Sequence, residues 1–374
     1  MTSSQGGLRS LPNINPDDFV QSNWVKVKLG NLIELLDKKR KPISKGVRTS
    51  GIYPYYGANG IQDYVDGYLF DGKYILVGED GSVITLEGHP VVNWGTGKFW
   101  ANNHVHIIDS KPGIDIDYLY YTINNSNISQ FVHGNIPKLT KGDLLDIEVQ
   151  LPPTIQEQRQ IASLLSSYDE LIQLNRDKLS TVNKMKAQLM TKVFAERERE
   201  RESWITVKLG DICSITIGEF LHKDKQVVNG KYPVYNGGVS NTGWFTDFNT
   251  KGPKVVISAR GSAGFVNRVE TDYWAGNSCY SLFPLTSNID FNFLYYRIKA
   301  EQDKMMGMTQ TGGGVPAINK RQVQELEISI PTSISEQQSI ANLFQTYDSL
   351  ADSIQKSIDT LEKEKNSIMQ KIFA

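Results

Sequence analysis

Short turns in each half of the sequence carry cations, side-chain amides and rings, the residue types able to contact nucleic-acid phosphates and base edges. In the first half these are Lys38, Lys39, Arg40 and Lys41, then Tyr56 and Asn59, then Asn102, Asn103 and His104. In the second half they are His222 and Lys223, Tyr235 and Asn236, Arg260, and Asn277. Each reads equally well as a solvated surface turn, and the basic run 38–41 is the strongest phosphate candidate.

Residues for covalent chemistry are harder to find. An adenine methyltransferase needs an Asp- or Asn-Pro-Pro-aromatic loop, and the one Pro-Pro, Pro152-Pro153, lies between Leu151 and Thr154. No Gly-x-Gly turn follows a strand to take a nucleotide, and Gly312-Gly313-Gly314 lacks the downstream Lys-Ser or Lys-Thr of a phosphate loop. His104 and His106 share a strand face, but no neighbouring Cys, His or carboxylate run completes a metal site. The expectation is a non-catalytic chain with no metal or cofactor of its own.

Composition sets bounds. The chain has 374 residues, enough for two or three domains, and a formal net charge of -1. Near-neutrality does not suggest nucleic acid, so positive charge must be local or supplied by a partner. Cys213 and Cys279 are the only cysteines, which fits a reducing cytoplasm and no disulfide framework. No apolar run approaches a membrane span, and residues 1–23 read as a polar arm broken by Pro12 and Pro16.

The elements that position these turns occur twice. Trp24-Val25-Lys26-Val27-Lys28-Leu29-Gly30 is restated by Trp204-Ile205-Thr206-Val207-Lys208-Leu209-Gly210. Tyr53-Pro54-Tyr55-Tyr56-Gly57 is echoed by Tyr232-Pro233-Val234-Tyr235-Asn236-Gly237. A shift of 179 residues aligns 134–195 with 313–374 without a gap, and about a third of the pairs are identical. This is a duplicated domain followed by a duplicated helix, with a period far beyond that of solenoid repeats.

The predicted organisation is an arm over 1–23, a recognition domain over 24–153, a spacer helix over 154–203, a second recognition domain over 204–332 and a last helix over 333–374. Short β-type runs such as 73–77 and 254–258 close on glycine turns, and 117–124 and 292–299 look helical, so each domain reads as mixed α/β. Thr154 with Glu157, and Ser333 with Glu336, fit capping boxes that start the long helices. The alternating Glu and Arg residues of 196–202 read as a solvated helix end.

Heptads follow. Ile161, Tyr168, Val182 and Leu189 hold one register in the first helix, with Asn175 as the polar exception. Ile340, Tyr347, Ile354, Leu361 and Ile368 hold it in the second. Helices of some forty residues are about 60 Å long, more than a small domain can cover, so they are expected to pack on each other. Connectivity favours an antiparallel pair and a pseudo-two-fold. The fold class is therefore α+β, with two similar α/β domains joined by long antiparallel coiled-coil helices.

With its repeated Trp-x-x-Val-Lys-Leu-Gly openings and Gln156-Glu157-Gln158-Arg159-Gln160-Ile161-Ala162 and Glu336-Gln337-Gln338-Ser339-Ile340-Ala341 helix starts, the chain resembles type I restriction-modification specificity subunits. The resemblance covers nearly everything after residue 23. It implies that each domain reads half of a bipartite double-stranded DNA target while the helices set the gap. It further implies docking of two methyltransferase subunits, which bind S-adenosylmethionine and methylate adenine, and of motor-nuclease subunits using ATP with Mg. A DNA-binding adapter of the same ancestry in a non-restricting defence system remains open at this level.

Overall fold

In the computed structural model, which describes residues 19, 23–132, 135–195, 203–309 and 314–373, the chain divides into two compact units. Their boundaries fall after Arg176 and after Gln355, inside both long helices. The helices are therefore shared between the units, where the sequence suggested separate spacer segments. The arm lies outside the described residues except for Phe19 and Asn23, and so does the run 196–202.

The first unit contains strands β1 (Val25–Lys28), β2 (Ile33–Leu35), β3 (Ser50–Gly57) and β4 (Gly60–Val65). β5 (Phe70–Gly78), β6 (Val92–Ala101) and β7 (Val105–Ser110) follow, then helices α1 (Ile116–Asn125) and α2 (Lys141–Asp146) and strand β8 (Glu148–Leu151). Six strands form one sheet in the order β2-β7-β5-β6-β3-β4, in which β3 and β6 run parallel. Both faces of this sheet are covered. Ile75, Val77 and Ile108 point toward Leu119 and Ile123 of α1, whereas Leu76 and Ile107 join Tyr56, Phe70 and Phe99 on the other face. The two-residue side-chain period of a strand explains why 73–77 reads as an almost unbroken apolar run.

The second unit repeats this plan with one interruption. It holds β9 (Trp204–Lys208), α3 (Ile155–Ala195) from residue 177 onward, α4 (Leu209–Ile212), β10 (Cys213–Ile217), β11 (Tyr232–Tyr235) and β12 (Gly243–Phe245). β13 (Lys254–Ser258), β14 (Val266–Val269), β15 (Trp274–Ala275) and β16 (Cys279–Pro284) come next. α5 (Phe291–Ala300), α6 (Gln302–Gly307), α7 (Lys320–Gln324), β17 (Glu327–Pro331) and α8 (Ile334–Phe373) complete it as far as residue 355. The long β6 of the first unit corresponds to two short strands here, β14 and β15. The sheet accordingly splits into a four-stranded β10-β16-β13-β14 and a three-stranded β12-β11-β15. Both cysteines are buried, and burial pushes each thiol up to about 12, which leaves them inert packing groups.

The repeated motifs dock the helices onto the domains. Thr154 Oγ1 accepts from the Glu157 amide at 3.1 Å and Ser333 Oγ from the Glu336 amide at 3.4 Å, the hydroxyl half of each predicted capping box. The Glu157 and Glu336 carboxylates accept the indole N–H groups of Trp24 at 2.9 Å and Trp204 at 3.2 Å. Gln158 and Gln337 are buried beneath them. Gln158 Oε1 accepts from the backbone N–H of Asp115 and Gln337 Oε1 from that of Asp290, the N-cap residues of α1 and α5. Each helix start thus closes a polar latch that an apolar seam alone would leave free to slide.

Within each unit, segments of α3 and α8 pack antiparallel. In the first, Ile161, Ala162 and Leu165 meet Met369 and Ile372 beside Trp24, Tyr118 and Tyr121. In the second, Ile340, Ala341 and Phe344 pack with Val193 and Phe194, while Leu189 lies against the same cluster. Tyr168 is buried; Val182, Tyr347, Ile354, Leu361 and Ile368 are half-buried, so the seam is tightest where the helices also touch a domain. Asn175 turns its amide back to the Leu171 carbonyl of its own helix at 2.8 Å, which satisfies the one polar heptad position locally.

Candidate nucleic-acid interface

One end of the six-stranded sheet gathers the candidate turns of the first half. The Asn102 amide donates to the Tyr56 carbonyl at 3.0 Å, the Lys41 amide to Ala101 at 3.2 Å, and the Glu79 amide to His104 at 2.9 Å. These bonds bring together the stretches 38–41, 56–59 and 102–104, which are far apart in sequence. They add two elements that sequence reasoning missed, Asp80 and Lys138, joined by an isolated β-bridge. A signal existed in the glycine three residues past the end of β5, since Gly81 has φ +81° and turns the chain back sharply.

The roles of these residues divide sharply. Lys38, Lys39 and Lys41 are exposed, and among the described residues their ammonium groups hold no ion pair. Asn59 and Asn103 are also exposed, and the half-open ring of His104 pairs with Asp80. Three expected contact residues instead serve the interior. Tyr56 is buried, edge-on to Phe99 with ring centres 5.4 Å apart. Asn102 is buried, its Oδ1 accepting from the His104 amide and its Nδ2 donating to Gln62.

Arg40 is the clearest departure from the sequence expectation. Its Nη1 lies 2.6 Å from Glu79 Oε2 and 2.7 Å from the Val105 carbonyl, and its Nη2 lies 3.4 Å from Asp37 Oδ2. His106, fully buried, reaches Asp37 Oδ2 through Nδ1 at 2.7 Å and the Leu139 carbonyl through Nε2 at 3.0 Å. Asp37, Glu79 and His106 are close enough together to hold a cation, a grouping the sequence did not reveal. The Arg40 guanidinium already lies among these carboxylates, which makes the cluster an internal ion network. Burial pulls the Asp37 carboxyl upward, yet its hydrogen bond to His106, that ring's charge, the Ile107 amide and Arg40 together hold it below the usual range.

The second unit builds the same face with different chemistry. The Gly276 amide donates to Tyr235, the Ala259 amide to Ser278 and the Ile318 amide to Ala259, each at 2.8 or 2.9 Å. Asn236 is committed inside, accepting from the Ser278 amide at 3.0 Å, and the Tyr235 ring packs on Tyr273. His222, Lys223, Arg260 and Asn277 are exposed, and Lys225 joins them on the same turn as Lys223. The strand registers make Tyr280 the counterpart of His106, Ile217 of Asp37, Ala259 of Glu79 and Arg260 of Asp80. Tyr280 Oη donates to the Ile318 carbonyl, as His106 contacts Leu139. The ion network of the first face is thus replaced by a neutral floor beneath an exposed arginine.

A duplicated α/β domain that presents exposed cations and amides on strand-end turns, latched to paired helices, defines a protein built to recognise DNA. The chain belongs to the type I restriction modification DNA specificity domain family, whose profile matches residues 21–184 and again 201–363. It is 23% identical to the MjaVIII type I restriction enzyme specificity subunit of Methanocaldococcus jannaschii, over 94% of this chain and 92% of that one. It is 29% identical to S.HindORF215P of Haemophilus influenzae, provisionally named as such a subunit, over 88% of this chain and 89% of that one. The crystal structure of the S subunit of a type I system from M. genitalium superposes with a TM-score of 0.70 at 21% identity, covering 94% and 96% of the two chains. No helix among the described residues is long and apolar enough to cross a membrane.

Proposed function

We propose that this chain is the DNA-reading subunit of a type I restriction-modification complex and performs no chemistry itself. Each domain reads one half of a bipartite target, and α3 and α8 hold the gap between the halves. The observation that carries this reading is the duplication of the strand-end face. Two units of one ancestry each carry exposed lysines in the loop that follows a matching strand, β2 or β10, while their underlying residues, Asp37, Glu79 and His106 against Ile217, Ala259 and Tyr280, differ. Shared scaffolds with unlike faces suit two unlike half-sites.

Two methyltransferase subunits docking on the helices would bring S-adenosylmethionine and the adenine-methylating site, and motor-nuclease subunits would bring ATP with Mg. Such an assembly operates in the cytoplasm and explains how a chain of net charge -1 grips DNA, since its partners add phosphate contacts. The test is co-expression with a type I methyltransferase subunit from the same genome, followed by single-molecule mapping of methylated adenines. A bipartite motif with a fixed gap that vanishes without this chain is the expected result. A stable complex with no motif would favour an adapter role, and absence of any complex would overturn the reading.

A further inference from the structure

We propose that Arg260 reads a guanine in the half-site recognised by the second unit, through paired hydrogen bonds from its guanidinium to O6 and N7. The inference rests on the DNA-reading assignment above and narrows it to one side chain and one base.

Arg260 differs from the other described arginines of its unit. Arg268 pairs with Glu270, Arg297 with Glu301 and the Ser329 carbonyl, and Arg321 with Glu325. Arg260 is exposed, and among the described residues its guanidinium makes no hydrogen bond or ion pair, its charge being felt by the Tyr280 phenol below it. It lines a cavity of about 250 Å³ together with Asn277, Tyr280, Ala317, Asn319 and Gln322. Most polar groups around it are spoken for. Gln322 Oε1 accepts from the Asn319 amide and its Nε2 donates to the Met308 carbonyl, Asn319 Oδ1 accepts from the Gln322 amide, and Tyr280 donates to Ile318. Asn277 Oδ1 accepts from Ser278 Oγ at 3.5 Å, so the Arg260 guanidinium and the exposed Asn277 Nδ2 are left to face a ligand.

The turn that carries Arg260 is held rigidly, as base readout requires. Arg260 bridges to Ala317, and the Ser262 amide donates to the Gly237 carbonyl at 3.0 Å. Gly237 and Gly261 both have positive φ, +85° and +73°, and a Cβ on Gly237 would stand 2.5 Å from the Arg260 carbonyl. The two backbones approach as closely as glycine allows, so the arginine projects from a braced support. A planar guanidinium offers a donor fork that matches O6 and N7 of guanine, and no other base presents two acceptors at that spacing in the major groove. In the first unit Asp80 stands at this position and pairs with His104, so the donor is peculiar to the second face.

The experiment uses the full chain co-expressed with its methyltransferase. Wild type, Arg260→Ala and Arg260→Lys are compared by mapping methylated adenines across a genome. The expected result is a bipartite wild-type motif in which R260A relaxes one G·C pair in one half, about ten- to a hundred-fold in preference, while the other half and the gap stay unchanged. R260K, with a point charge but no fork, retains an intermediate preference. An unchanged motif with R260A, or a wild-type half-site without a guanine on either strand, overturns the inference and leaves the DNA-reading assignment standing. Absence of a bipartite motif in wild type overturns both. Should R260A fail to assemble, binding of the wild-type complex to duplexes carrying 7-deazaguanine at each guanine in turn decides the matter. One substitution weakening binding about tenfold supports it, and uniform indifference to the missing N7 overturns it.

Discussion

Lys365, near the end of the chain, donates to Asp169 at 2.6 Å. Tyr121 Oη donates to the same carboxylate at 2.7 Å, and the lysine lies over the Tyr121 ring. In the second unit Lys186 pairs with Asp348, Tyr296 Oη donates to Asp348 at 2.5 Å, and Lys186 lies over the Tyr296 ring. The shift of 179 residues that relates the repeats carries Asp169 onto Asp348 and Lys186 onto Lys365. Each long helix therefore supplies the acid in one unit and the lysine in the other. Such reciprocity fixes register and antiparallel sense, since a slip of either helix would part both pairs. The tyrosine anchors the pair to α1 or α5, and burial first, then the aspartate's charge and hydrogen bond together, keep each phenol protonated far above its ordinary range.

A double-mutant cycle on Asp169→Ala and Lys365→Ala tests this clasp. Asp169 is 42% exposed, so solvent screens the ion pair, and the expected coupling is about 0.5–1 kcal/mol. D169A alone should cost more, about 1–3 kcal/mol, because it also strands the hydroxyl of the buried Tyr121. Denaturant melting of the four proteins measures both quantities. Additive single-mutant losses would show that the pair does not fix the helices.

The glutamines at the helix starts offer a second test, through neighbours of opposite fate. Gln337 is buried and bonds the Asp290 amide and the Asn288 and Pro331 carbonyls, whereas Gln338 beside it is exposed. Gln337→Ala should lower stability by about 1–3 kcal/mol, from polar groups left unpaired, while Gln338→Ala should change it by less than about 0.5 kcal/mol. Equal melting of the two variants would refute the latch.

What the sequence could and could not reveal follows from the range over which each feature is encoded. The helices were legible because heptads and hydroxyl caps are local and occur twice. The turns were legible as turns because Asn and Gly mark them. The fate of a given cation was not. Lys38, Lys39, Arg40 and Lys41 form one basic run, yet Arg40 alone is drawn inward by Glu79, a partner set by the pairing of β5 with β7. Tyr56 and Asn102 were misplaced for the same reason, since their neighbours Phe99 and Gln62 come from other strands. Nor could periodicity show that both units divide the two helices, because burial against a domain and burial against a helix leave the same apolar stripe.

The divided basic run predicts two separable phenotypes. Replacing Lys38, Lys39 and Lys41 together with Ala should leave melting nearly unchanged, weaken DNA binding by the assembled complex, and lower the slope of log affinity against log salt by about 0.9 for each lost phosphate contact. Arg40→Ala should act on stability instead, costing about 2–4 kcal/mol, since Asp37 and Glu79 would lose the one guanidinium they share, with only His106 and Lys138 left beside them. A salt slope that ignores the triple variant would remove these lysines from the interface, and an R40A protein of unaltered stability would contradict the ion network.

The helices yield the sharpest geometric prediction. Seven residues added to α3 after Arg176 and seven to α8 after Gln355 preserve the heptad register and both sets of clasps, since neither insertion falls inside a unit. At about 1.5 Å per residue the helices grow by roughly 10 Å, close to three base pairs at about 3.4 Å each. Methylated-adenine mapping should then return both half-sites unaltered with a gap about three base pairs longer. Helices that act as the ruler leave no other outcome open. A motif with its original gap would place the spacing elsewhere in the assembly, and a changed half-site would show that base reading depends on more than the strand-end face of its own unit.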